Sequence, residues 1–230
     1  MRVGVISDLH SNIYALKALT NRAENIDVWI CLGDFVGLFP NVNEVVDYIR
    51  LNSMISVKGD HEFYLLNDEK MEYSFTGNQS IEFQRKTITR NNLKFIQNLN
   101  ETISIEIDGL KFFCTHFLSQ DHNNRNRTGK YTIDLKVLDK KYDNYDVVLW
   151  GHSHLPAAVC GKKTIYLNPG SAGFPIDVIK KPSFLIYDTS TKTFQFEHFT
   201  FEIENLLRDI QAFGYNQKLY NYLKSGFVWR

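Results

Sequence analysis

The stretch MRVGVISDLH (residues 1–10) sets the reading of the whole chain: an apolar, β-branched run over Val3–Ser7 stops on Asp8 and His10. Such a run marks a buried strand. A polar cluster directly behind it marks the strand end at which α/β sheets bind ligands. The pattern recurs. VWICL (28–32) leads into Gly33-Asp34, and MISV (54–57) into Gly59-Asp60-His61-Glu62. KFF (111–113) leads toward Thr115-His116, and DVVLW (146–150) into Gly151-His152-Ser153-His154. Helical patterns separate the first three strands. Asn12–Glu24 puts Ile13, Leu16 and Leu19 on one stripe, with Ser11 or Asn12 as cap, and Val42–Leu51 does so with Val42, Val45, Val46 and Ile49. This βαβαβ order requires parallel strands with helices packed against them.

A further helical region is expected from about Ser80 to Leu99, with a break at Asn91-Asn92. Beyond it the chain turns strand-rich. Thr102–Ile107 and Leu110–Cys114 form a hairpin about Asp108-Gly109, and Ala157–Cys160 with Thr164–Leu167 form another. Ser183–Tyr187 and Phe194–Phe199 are strands, and Ile203, Leu206, Leu207 and Ile210 define an amphipathic tail helix. So many strands exceed one open sheet. The expected fold is α/β, two mixed β-sheets packed as a sandwich and flanked by helices, in one domain over residues 1–230 with a helical tail from about 202.

Composition removes several function classes. Twenty-six basic residues balance twenty-six acidic ones, so the cationic surplus that a nucleic-acid polymer demands is missing. No run approaches the ~18 apolar residues of a membrane span. The N-terminal run is too short for a signal peptide. Cys31, Cys114 and Cys160 have no CxxC spacing and read as buried thiols in a reducing compartment. The expectation is a soluble cytoplasmic protein. The aromatic residues Phe213, Tyr215, Tyr220, Tyr222, Phe227 and Trp229 read as packing rather than as a nucleobase platform, with a contact between copies in a homo-oligomer as the more interesting alternative.

Five strands thus deliver Asp8, His10, Asp34, Asp60, His116, His152 and His154 toward one edge. Imidazole with carboxylate suits borderline divalent ions such as Mn, Fe, Zn or Ni. Seven ligands exceed one tetrahedral ion, so two divalent ions are expected. In Asp8-x-His10 and His152-x-His154 an extended backbone would point both side chains the same way.

The order D-x-H, G-D, G-[N/D]-H-[E/D], H, G-H-x-H resembles the calcineurin-like metallophosphoesterase superfamily. Gly33-Asp34-Phe35-Val36-Gly37 and Leu167-Asn168-Pro169-Gly170-Ser171-Ala172-Gly173 resemble its small bacterial branch, with phosphodiesterase and diadenosine-polyphosphatase members. The resemblance implies one metal on Asp8, His10 and His154, a second on Asp60, His116 and His152, and Asp34 bridging them. It implies hydrolysis of a small phosphodiester or nucleotide-type substrate by a metal-bound hydroxide, manganese being the favoured ion. His61 would bind phosphate or protonate the leaving group. Arg125 and Arg127, on the polar loop behind His116, are candidates to clamp phosphate. The alternative is a non-catalytic protein-binding module on a degenerate site.

Two departures from the family pattern matter. Asp60 stands where Asn is usual, adding a negative charge beside an anionic substrate. Gly37-Leu38 stands where protein phosphatases carry Asp-Arg, which argues against phosphoprotein substrates and leaves His61 without an orienting carboxylate. Asp60→Asn is expected to raise turnover or change the bound metal. Unchanged hydrolysis and metal content would show the departure to be inconsequential.

Overall fold

The computed structural model describes residues 1–72, 74–118, 135–177, 179–214 and 217–226. One five-stranded sheet has β1 (Arg2–Ile6) at its centre, parallel to β2 (Val28–Cys31), which in turn pairs in parallel with β3 (Ile55–Ser56). On its other side β1 meets β9 (Ser183–Asp188), which carries β10 (Thr193–His198) at the edge, both pairings antiparallel. The second sheet runs β4 (Thr102–Ile107), β5 (Leu110–Thr115), β6 (Val147–Leu149), β8 (Ile165–Pro169) and β7 (Pro156–Cys160). Its three middle strands are parallel and its edges antiparallel. The expected sandwich of two mixed sheets is therefore present.

Alternation along the strands builds the layers. Val3, Val5, Ile30 and Leu32 of one sheet pack with Phe112, Cys114, Val147, Leu149 and Leu167 of the other. The opposite face of the first sheet is covered by α1 (Ile13–Arg22) and α2 (Val42–Leu51), through Leu16, Leu19, Val45, Val46 and Ile49. The outer face of the second carries α6 (Leu135–Lys141), where Leu138 meets Val148, Trp150 and Tyr166. The hairpin turn fits its sequence: Asp108 and Gly109 both have positive φ, 53° and 76°.

Several expectations need correcting. The Ser80–Leu99 region is two helices, α4 (Phe75–Thr87) and α5 (Arg90–Gln97). The break falls at Ile88-Thr89 because Thr89 caps α5, its side chain accepting from the Asn92 amide; Asn91-Asn92 lies inside the helix. A short helix, α3 (Asp60–Leu66), follows β3 directly. Gly59-x-x-Glu62 with acids in the first turn is its start signal. Cys31 and Cys114 are buried, but Cys160 is exposed because it ends the edge strand β7.

The tail forms α7 (Ile203–Ala212) and α8 (Gln217–Gly226). Ile203, Leu206 and Ile210 of α7 and Leu219 and Leu223 of α8 pack with Leu38 and Phe39. Asp209 Oδ2 accepts from Tyr14 Oη at 2.6 Å and Asn41 Nδ2 at 2.8 Å. Burial and this bond push the Tyr14 phenol up to about 12, so it remains a donor. No helix among the described residues is long and apolar enough to cross a membrane.

Candidate metal centre

Each cluster foreseen after a strand sits at the carboxyl end of β1, β2, β3, β5 or β6. The backbone there is not extended. Asp8, His10, Asp34, His152 and His154 have φ of 54°, 49°, 51°, 66° and 58°, all left-handed. Asp and His tolerate that region better than most residues, at a cost of about 1–3 kcal/mol each. The i, i+2 alternation expected for Asp8/His10 and His152/His154 is thus replaced by a curl that turns each side chain inward. Hydrogen bonds between the loops hold it: His10 N to Asp34 O at 2.8 Å, Ser11 N to Phe35 O at 2.9 Å and Phe39 N to His10 O at 3.1 Å.

The side chains gather into overlapping groups. Asp34, Asp60, His116 and His152 form one; Asp8, His10 and His154 form another; His10, Asp34 and His61 form a third, with candidate ligand atoms within 4.8 Å in each. Three imidazoles are fixed by main-chain carbonyls. Nδ1 of His10, His116 and His154 lies 3.3, 2.6 and 2.5 Å from the oxygens of Val36, Leu32 and Phe174. A carbonyl can only accept, so each Nδ1 donates, and the neutral ring presents a bare Nε2 lone pair inward. Those lone pairs face other acceptors. His10 Nε2 is 3.1 Å from His154 Nε2, and His154 Nε2 is 3.3 Å from Asp8 Oδ1. His116 Nε2 is 3.3 Å from Asp34 Oδ2 and 3.2 Å from Asp60 Oδ1. His152 Nδ1 is 3.3 Å from Asp60 Oδ1. Asp8 Oδ1 is buried with no hydrogen-bond partner among the described residues. Acceptors this close repel unless a cation stands between them. The donor set fits divalent metal.

The proton behaviour agrees. Burial drives the His116 imidazole down, but Asp34, Asp60 and Asp8 prevail and hold it well above the ordinary range. Burial raises Asp60, yet His116 and His152 hold it well below. Burial, with His61 and His154 nearby, keeps His10 well below its ordinary value. A proton on His116 therefore occupies the position a metal would take, and metal binding must release it.

Two residues outside the expected ligand set, Glu62 and Gln84, keep the loops in shape. Glu62, which the sequence suggests as a supporting or surface acid rather than a catalyst, is fully buried. It accepts four main-chain N–H bonds: Gly59 at 2.7 Å, Asp34 at 2.8 Å, Phe35 at 2.9 Å and Val36 at 3.1 Å. Burial and the neighbouring Asp34 charge push it up to about 8 while those bonds pull it down. Gln84 of α4 accepts from Gly37 N at 2.8 Å and donates to Gly37 O and Phe39 O at 3.0 and 2.6 Å. That fixed Gly37 backbone is the seat of His61: a Cβ at Gly37 would lie 1.9 Å from His61 Nδ1. His61 Nδ1 has no hydrogen-bond partner among the described residues, and the close fit against the Gly37 backbone orients the ring. The Asn168–Gly173 turn also serves the site. Asn168 Nδ2 donates to Gly151 O at 2.8 Å, and Ser171 Oγ to Asp8 O at 2.8 Å. Glu62 was findable from the Gly59-x-x-Glu62 spacing; Gln84 carries no local signal. Arg125, Arg127, Lys130 and His122 lie outside the described residues.

A sandwich of two mixed sheets with clustered Asp and His at its strand ends defines a class of metal-dependent hydrolases, and comparison bears this out. Residues 1–192 match the calcineurin-like phosphoesterase superfamily domain, and the chain belongs to that superfamily. It is 34% identical over 204 residues to the uncharacterized protein MJ0912 of Methanocaldococcus jannaschii, covering 81% of this chain and 82% of that one. A protein of the same organism named phosphodiesterase MJ0936 is 26% identical over 199 residues, 85% of this chain and 97% of its own. A metallophosphoesterase from Sphaerobacter thermophilus shares the fold with a TM-score of 0.80 at 21% identity, over 98% of this chain and 99% of that one. Hypothetical protein PH1004 from Pyrococcus horikoshii OT3 does so with 0.82 at 17%, over 96% and 97%.

Glu62→Gln turns an amide toward two N–H donors, each unsatisfied group costing about 1–3 kcal/mol. A lower melting temperature and reduced metal stoichiometry are expected, by calorimetry and elemental analysis. Gly37→Ala displaces His61 but leaves in place the seven metal ligands expected from the sequence. The expected result is at least about a tenfold fall in kcat with metal content retained.

Proposed function

We propose that this protein is a two-metal phosphodiesterase acting on a small phosphodiester or nucleotide-type molecule in the cytoplasm. The observation that carries the reading is the buried group of inward-facing acceptors, above all His10 Nε2 against His154 Nε2 at 3.1 Å. Asp8, His10 and His154 would hold one ion and Asp60, His116 and His152 the other. Asp34, which belongs to groups on both sides, would lie between them. When bound, the ions supply Lewis acidity and lower the pKa of water; manganese is favoured, with iron, zinc and nickel of the same ligand class.

The chain's own residues do the rest. His61, its ring 4.5 Å from that of His10, is placed to hold a phosphoryl oxygen or give its proton to the leaving oxygen. Glu62 and Gln84 keep the 34–39 loop from drifting. A small substrate, rather than a nucleic-acid polymer, fits the neutral composition. Phosphodiester rather than phosphoprotein chemistry is supported by Gly37-Leu38, which leaves no arginine to grip a terminal phosphate there, and by the phosphodiesterase name of one relative.

Purified protein should contain at least one metal per chain and hydrolyse bis-p-nitrophenyl phosphate with added manganese, reversibly with chelator. Asp34→Ala should lower the rate by more than the ~10–100-fold that loss of a supporting partner costs. Less than one metal and no turnover would overturn the hydrolase and favour the non-catalytic binding module.

A further inference from the structure

The matched superfamily domain ends at residue 192, so α7 and α8 are an addition to it, and they are docked on the metal-centre loops. Asp209 bonds Tyr14 and Asn41, each just beyond one of the left-handed ligand segments. Leu206 and Ile210 pack with Leu38 and Phe39 of the loop behind Asp34. A third contact is aromatic. Phe174, whose carbonyl fixes His154, stands nearly perpendicular to the rings of His10 and His154, at 6.4 and 6.2 Å. Tyr222 of α8 lies 5.9 Å from Phe174, inclined at 51°.

The attachment of α8 is made by buried leucines. Leu219 and Leu223, one turn apart, are 4% and 3% exposed and make that attachment, whereas Tyr222 is 46% exposed. A row of rings therefore climbs from the candidate metal ligands to a solvent-facing tyrosine. Lys218, four residues before Tyr222 and on its face of the helix, and Lys224 make α8 cationic, and the helix contains no carboxylate.

We propose that Phe174 and Tyr222 form a stacking platform for the nucleobase of a nucleoside phosphodiester, the hairpin α7–α8 acting as the specificity wall of the site. This rests on the phosphodiesterase reading above and narrows its substrate class. A planar base has a π-face that an aromatic side chain accepts whatever the base, and in a nucleoside phosphodiester the ribose would link a base on these rings to a phosphate at the candidate metal ligands. An alkyl phosphodiester has nothing to lay on the platform.

The test compares thymidine 5′-(p-nitrophenyl phosphate) with methyl p-nitrophenyl phosphate, in the full-length manganese-loaded protein. The expected kcat/KM ratio favours the thymidine ester by about tenfold or more, the range measured for base–aromatic stacking. Tyr222→Ala should collapse that ratio through KM. Tyr222→Phe should keep it, as should Phe213→Ala, an exposed aromatic capping the end of α7 that contacts Phe83 instead. Because the ratio is taken within one protein, a folding defect lowers both rates and leaves it unchanged. A ratio near one in the native protein, or the same ratio in Tyr222→Ala, would overturn the platform. Turnover of neither ester would instead defeat the phosphodiesterase reading. Calorimetry with thymidine 5′-monophosphate then decides the platform: about tenfold weaker binding in Tyr222→Ala supports it, and equal or absent binding overturns it.

Discussion

Three main-chain carbonyls, those of Val36, Leu32 and Phe174, take the Nδ1 protons of His10, His116 and His154. Much of the molecule is arranged around the consequence. Once those protons are committed outward, the interior of the strand-end cluster holds only lone pairs and carboxylates, and such a group keeps its shape only around positive charge. A proton on His116 meets part of the demand; divalent metal meets all of it. The carbonyls themselves belong to the loops that also carry or adjoin the ligands. Ligand orientation and loop conformation are therefore a single constraint.

That constraint explains why five ligand-bearing residues sit in left-handed backbone. A strand that stayed extended would carry its polar side chains past the sheet edge, with alternate residues on opposite faces. Curling at Asp8, His10, Asp34, His152 and His154 turns all of them toward one point, and the strain is offset by bonds from elsewhere in the chain. Glu62 alone gathers four amides from two loops, and Gln84 reaches from α4 to fix the Gly37 backbone. Asn168 and Ser171 do the same for the 151–154 and 8–10 segments.

What was legible in the sequence follows from which signals are local. Strands ending on Asp or His, the βαβαβ order and the Asp108-Gly109 turn are short-range patterns, and each is found where the pattern puts it. The seven candidate ligands were legible for the same reason, since each follows closely on one of five strands. The backbone curl was not, because left-handed geometry in Asp or His is imposed by partners distant in sequence. The break at Ile88-Thr89 was missed because a Thr cap competes with asparagines that look like better breakers but lie inside a helix. Gln84 and Asp209 were invisible: a buried Gln or Asp on a helix reads as surface until its partners are known.

The bond between Tyr14 and Asp209 joins residues 195 apart in the chain, and the contact between His10 and His154 joins residues 144 apart. Closing such long loops comes late in folding, because their entropy is lost before the contacts repay it. As the chain is synthesised, the segment bearing Asp8 and His10 emerges long before the partners that give it its shape. Tight metal binding thus becomes a readout of completed folding: a chain stalled before residue 209 has every candidate ligand but lacks the clamp that sets two of their loops.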